Sequence, residues 1–208
     1  MKRVLTYVMT GILLAIVLLA GVLGQTQGPG KKSGLPQDGM RTEVTKSDFT
    51  KLRFIRSTQL LTFGVALGQS VETAREEVQK AGLTWEIPTN PSAVIVVGNA
   101  SGTALFGVNT EDGVITRVVW YAGLGPYLAG KSGRIVDFHV LDPDSPLRLR
   151  LLGREDSRDK QGLGNSGKIV TYSYDKEGLR VLGIYPNSDP NDPTATLLIH
   201  LVAPAKPR

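Results

Sequence analysis

Apolar and polar positions alternate most regularly between Lys168 and Leu201. Ile169, Thr171 and Ser173 alternate with Val170, Tyr172 and Tyr174, the segment DKEG (175–178) reverses the chain, and LRVLGIY (179–185) follows, which predicts a β-hairpin. A two-strand ribbon is marginal alone, and TATLLIHL (194–201) supplies a third strand across the Pro/Asp/Asn-rich loop NSDPNDP. The same order occurs earlier, with AVIVV (93–97), a GNASG turn, TALFGV (103–108), an NTEDG turn and VITRVVWY (114–121). Gly102 and Gly178 hold equivalent places in the two runs. Two layouts are open, a tandem repeat of three-strand units or two unrelated meanders.

From Ser70 the period changes to that of a helix. Val71, Ala74, Val78 and Ala81 recur at intervals of three and four, Ser70 is placed to cap the first turn, and Gly82 stands where a helix stops. On its polar side Glu76 to Lys80 is a favourable pair. The run 51–68 mixes Leu52, Phe54, Leu60, Leu61, Phe63, Val65 and Leu67 in partial alternation and predicts one or two strands. Residues 121–133 are punctuated by glycine and read as a connector with a short helical turn at most, and RIVDFHVLD (134–142) alternates as a strand. In 147–152 the Leu/Arg alternation favours a strand, whereas Ser145 and Pro146 ahead of it favour a helix that mirrors the earlier one, and the helix is preferred. The fold class expected is α+β, an antiparallel sheet with one or two packed helices, and a tandem helix plus three-strand repeat is its more ordered form.

At the amino terminus MKR precedes 21 residues without a charge, Val4 to Gly24. About 20 apolar residues span a bilayer, and the basic head would hold the terminus in the cytoplasm. Small residues before Gln25 equally permit cleavage as a signal peptide. Both readings, a single-span anchor or a cleaved signal over residues 1–24, export the remainder to the membrane surface, the periplasm or the exterior, and a buried helix of a soluble fold is the third alternative. Residues 25–48 are rich in Gly, Pro, Gln and charge and have the composition of a flexible linker. Two α+β units, 49–130 and 131–208, packed as one globular region, account for the rest.

Cysteine is absent, which excludes disulfides and lipid attachment through an amino-terminal cysteine. The net charge is +5, and +3 without Lys2 and Arg3. The basic spots KLRFIR (51–56) and LRLRLLGR (147–154) lack interleaved aromatic platforms, so nucleic acid is not expected as a partner.

Several patterns imitate chemistry. Gly162, Gly164 and Gly167 form GxGxxG, and the same stretch ends as GxxxxGK at Lys168. A phosphate cradle needs a strand before these glycines and a helix after them, whereas a polar loop is expected before and a strand after. His139 and His200 are the only histidines, and no spacing joins His200 to Asp137 or Asp142 as a metal set. Asp142, Asp144, Asp189 and Asp192 flank prolines and read as turn formers. No catalytic, cofactor-binding or metal residues are assigned. An exported hydrolase would require two of Asp137, Asp142, Asp144, Glu155, Asp156 and Asp159 to be brought together by folding.

The segment LGQSVETAREEVQKAG followed by three strands resembles the repeat of small exported envelope proteins of the SmpA/BamE lipoprotein kind and of the β-lactamase-inhibitor-like fold. Gly68, Val71, Val78 and Gly82 carry the likeness in the first copy, and Tyr172, Tyr174 and Gly178 in the second. The lipid-bearing cysteine of the lipoprotein members is missing, so their lipid anchoring and assembly role are not carried over. The resemblance implies noncatalytic recognition of another envelope or membrane protein through an exposed strand edge or a concave sheet face. Tyr172, Tyr174, Trp120 and Tyr121 are the candidate partner surface. The expected function is therefore an exported, membrane-tethered protein-binding or envelope-accessory domain, with an acidic hydrolase and a small-ligand or lipid binder as alternatives.

Overall fold

The computed structural model describes residues 41–44, 55–89, 94–132, 146–163, 167–186 and 196–205. The apolar run 4–24, the expected strand at 134–142 with Asp137 and His139, and Asp142, Asp144, Asp189 and Asp192 lie outside these residues.

Two short strands come first, β1 (Thr42–Glu43) and β2 (Leu60–Leu61), paired in parallel. Thr42–Val44, expected in the linker, belong to the fold, because Val44 is a buried core residue and the Glu43 carboxylate accepts the amides of Phe63 and Gly64 at 2.8 and 3.0 Å. Those amides belong to a turn in which both residues adopt positive φ. The turn explains why the described part of 51–68 is mostly irregular instead of one or two full strands. Leu60, Val65 and Leu67 still enter the core, but from a folded-back segment that begins with a 3₁₀ turn at Ser57–Gln59.

Helix α1 (Val71–Lys80) forms where the period predicts it. Ser70 Oγ accepts the Thr73 amide at 3.2 Å, relieving one unpaired donor of the first turn, and Ala74 and Val78 face the core. Lys80 pairs with Glu77 at 2.7 Å, one turn back by three residues, instead of with Glu76. The chain then makes four strands, β3 (Thr84–Glu86), β4 (Ile95–Gly98), β5 (Ala104–Glu111) and β6 (Val114–Trp120). Helix α2 (Leu124–Ser132) follows, longer than the single turn expected of this glycine-rich segment, because Leu124 and Leu128 fall one turn apart and bury together. Helix α3 (Pro146–Leu152) introduces four more strands, β7 (Ser157–Leu163), β8 (Gly167–Tyr174), β9 (Leu179–Tyr185) and β10 (Thr196–Val202).

These eight strands form one antiparallel sheet in the order β3-β4-β5-β6-β10-β9-β8-β7. Each half is a helix followed by a four-strand meander, and the halves meet through their last strands. At that seam Trp120 pairs with Ile199, Val119 with His200, Val118 with Leu201 and Arg117 with Val202. The repeating unit thus has four strands rather than three, β3 and β7 being the additions. The turns β4–β5 and β8–β9 each contain a glycine at positive φ, Gly102 at 80° and Gly178 at 70°.

The two faces of the sheet differ. All three helices lie against one face, where Ala74, Val78, Leu124, Leu128 and Leu152 join Phe106, Val118, Trp120, Val170, Tyr172, Val181 and Ile199 in the main core. A bulge shapes this packing: between Val97 and Gly98 the register slips by one residue, so consecutive Leu105 and Phe106 both enter the main core. On the opposite face Val119, Ile169, Leu182, Ile184 and Leu198 form a smaller cluster against which Tyr121 packs. The segment before α1 binds the two halves into one body, since the Ser57 amide donates to Glu177 O at 2.7 Å and its hydroxyl to Val202 O at 2.5 Å.

The two equivalent glycines differ in surroundings. A Cβ at Gly102 meets nothing, whereas at Gly178 it would overlap Ser57 Oγ and the Val202 carbonyl. Gly102→Ala should cost only left-handed strain, about 1–2 kcal/mol, and Gly178→Ala about 1–3 kcal/mol more from overpacking, as measured by urea denaturation.

Candidate functional site

The four aromatic residues expected to form a partner surface do not share one. Strand alternation turns Tyr172 and Tyr174 toward the helices, where they are 2% and 3% exposed. Trp120 is fully buried and donates its indole N–H to Thr62 Oγ1 at 2.9 Å. A partner cannot reach these three without unfolding, so they are core residues and not the expected partner surface. Tyr121 alone lies on the other face.

Tyr172 and Tyr174 instead hold α3 to the sheet through Arg148, which is 4% exposed. Arg148 Nη1 donates to Tyr174 Oη at 2.5 Å and to Glu155 Oε2 at 3.1 Å, and the guanidinium carbon stands 3.9 Å from the Tyr172 ring centre. Arg158 approaches the same ring at 5.0 Å. Burial works to raise the Glu155 carboxyl, but its own backbone amide and the Arg148 guanidinium outweigh burial and hold it below the ordinary carboxylate range. Glu155 is accordingly a charge partner and not a proton donor. Asp156 Oδ2 accepts the Asp175 amide at 2.8 Å and Asp159 Oδ2 accepts Gln161 Nε2 at 2.9 Å, so the described members of the acidic set are tied into local structure. Among the described residues no group of three metal-ligating side chains occurs.

The glycine motif resolves into a hairpin. Gly162 lies in β7 and Gly167 opens β8, so strand precedes and strand follows, in place of the polar loop expected before it. Lys168 Nζ sits 4.8 Å from the Tyr185 ring centre. Among the described residues of this stretch no helix begins to present amides to a phosphate.

Two features remain that chemistry could use. The first is the β7 end of the sheet, an outer strand among the described residues. Strand β7 has seven residues, pairs only with β8 among the described residues, and exposes Ser157, Arg158, Asp159, Lys160 and Gly162. The second is a polar constellation on the smaller-core face at the seam. His200 on β10 stands opposite Val119 on one side and Arg180 on the other, and Arg117 lies diagonally across Val202. Arg117 Nε donates to Asn109 Oδ1 on β5 at 3.0 Å. Tyr121 reaches over β5 at Gly107, where a Cβ would collide with its hydroxyl. His200 is 5% exposed and its Nε2 has no hydrogen-bond partner, and the buried Nε of Arg180 likewise has none. Burial first, then the charges of Arg117 and Arg180, pushes the imidazole down to about 3. Burial raises the Tyr121 phenol to about 12, against the pull of Arg117. Burial, reinforced by Arg180, lowers Arg117. No residue spacing announces this grouping. Arg117, Arg180 and His200 come from three strands and become neighbours only when β6 and β9 flank β10.

Comparison of the chain with protein-family models, with curated proteins and with solved structures finds no match. Among the described residues no helix is long and apolar enough to cross a membrane.

Arg148→Met should destabilise the protein by about 3 kcal/mol, because it leaves the Tyr174 hydroxyl and the Glu155 carboxylate without their shared cation, and thermal or urea unfolding measures this. For His200 the unfolded chain takes up a proton near pH 6.5 whereas the native imidazole stays neutral to about 3, so stability falls as pH drops through that window. Between pH 7 and 5 the wild type should lose about 2 kcal/mol relative to His200→Gln, read as the difference in urea midpoints at the two pH values.

Proposed function

We propose that this chain is an exported, noncatalytic binding domain, tethered to the membrane through residues 4–24 where that segment is retained, which recognises another envelope or membrane protein by strand addition. The observation that carries the reading is β7, seven residues long at the end of an eight-stranded sheet, with Ser157, Arg158, Asp159, Lys160 and Gly162 exposed. An outer strand presents a row of main-chain donors and acceptors, and an extended segment of a partner can pair with it while the side chains supply selectivity. Arg158, Asp159 and Lys160 place both signs of charge on this edge, which guards it against indiscriminate pairing. The amino-terminal apolar run and linker favour a tethered domain that samples the membrane surface. The likeness to SmpA/BamE-like envelope proteins points toward the same class of partner. The acidic-hydrolase alternative is weakened because Glu155, Asp156 and Asp159 are already engaged by Arg148, the Asp175 amide and Gln161.

Photo-crosslinking side chains placed at Lys160 and at Gln161 should capture the same envelope protein in intact host cells, and one placed at Glu72 on the exposed side of α1 should not. Absence of any captured protein at β7, together with turnover of a substrate by the purified chain, would sink the reading.

A further inference from the structure

The seam constellation is not explained by the packing of the sheet. A buried polar atom without a partner carries a desolvation cost of about 1–3 kcal/mol, and such atoms are few in native folds. Here two belong to residues directly opposed on adjacent strands, His200 with its Nε2 and Arg180 with its Nε. Directly opposed residues on one face have Cβ atoms about 4.5–5.5 Å apart, so the two side chains leave the sheet as neighbours on the same face. Arg117, on the same face, adds a second positive charge, and its orientation is fixed by Asn109. The charges of Arg117 and Arg180 both act against protonation of His200, and Arg180 acts on Arg117 as well. Around the buried imidazole, Arg117, Arg180, Asn109 and Tyr121 are each partly open to solvent, which gives an approach from the surface. Arg148 offers a contrast within the same molecule, since its guanidinium is matched by a carboxylate, a phenol and a ring face.

We propose that the seam face is a binding site for a small oxyanion, held by the Arg180 guanidinium and by His200 Nε2 in its N–H form, with Arg117 supplying further positive charge. A guanidinium fork matches the oxygen spacing of carboxylate and phosphate, and the charge-assisted bonds to either are about twice as strong as neutral ones. The anion supplies the acceptor that both orphaned nitrogens lack. Tyr121, laid over Gly107 beside Arg117, walls the site on the β5 side. The ligand class is a carboxylate or a phosphate, free or as the head of a larger molecule. The site lies at the middle of the sheet and β7 at its end, so this inference does not rest on strand addition.

Titration of the full-length protein with sodium phosphate and, separately, sodium acetate at constant ionic strength, followed by nitrogen-correlated NMR of the His200 imidazole, tests it. At least one anion should give a saturable shift of the His200 signals and raise the pH at which the ring protonates, and chloride should do neither. The tighter of the two anions identifies the class. Arg180→Met should weaken the binding about tenfold or more. Arg180→Lys, which keeps the charge but loses the fork, should weaken it less, and Arg150→Met, at an exposed position on α3, should leave it unchanged. Absence of saturation with both anions, or equal binding in wild type and in the Arg180 variant that folds, would overturn the proposal.

Discussion

Everything in the fold depends on the pairing of β6 with β10. Each half of the chain ends in one of these strands, and only their ladder turns two four-strand meanders into a single eight-strand sheet. A four-strand meander with one helix has little surface to bury, whereas the joined sheet spreads the main core from Val97 to Tyr174 across both halves. The pairing joins Trp120 to Ile199 and so closes a long loop, whose entropy cost must be met by burial along the seam. Val118, Trp120, Ile199 and Leu201 on the helix side provide that burial, and Trp120 is further tied to Thr62. The Ser57 turn, bonded to Glu177 and Val202, fastens the first half to the second at another point.

The seam also divides the molecule's polar groups by how they are compensated. On the helix side Arg148 is buried with Glu155, Tyr174 and the Tyr172 face around it, an arrangement that makes it costly to remove and chemically quiet. On the other face Arg180 and His200 are set among Val119, Leu182 and Leu198 with two nitrogens unpaired. Groups of the same chemical type therefore take opposite roles. A fully matched cation positions a helix, and a cation lacking a matching acceptor keeps capacity for a ligand.

The regular elements were legible where burial imposed a period. Helix α1 shows its stripe because one face packs on the sheet, and β8 alternates because one of its faces enters the main core while the other is partly open, whereas β4, β5 and β9 read as apolar runs because both of their faces are covered. Strand β7, SRDKQGL, carries no apolar alternation, because an edge strand exposed to water can be held by its ladder to β8 alone. Helix α3 misled in the opposite sense. Its Leu/Arg alternation reads as a strand, yet Arg148 faces inward with Leu152 one turn on, and Leu149 is 51% exposed. Arg148 is matched there by Tyr174 and Glu155, and nothing local to 147–152 records them. The glycines of α2 concealed a helix whose stability comes from burying Leu124 and Leu128.

The sequence by itself left open whether one layout recurs in both halves, and it determined the class of fold, the capped helix α1 and the turns at Gly102 and Gly178. These are local consequences of periodicity, capping and backbone conformation, which short stretches of chain carry within themselves. The tertiary structure alone decided which face each aromatic residue takes, buried Tyr172, Tyr174 and Trp120, left Tyr121 on the other side, and gathered Arg117, Arg180 and His200 at the seam. Those outcomes depend on strand register and on the antiparallel meeting of β6 and β10. A shift of one residue in that register would send every side chain to the opposite face, and the partners that fix it are distant in the chain.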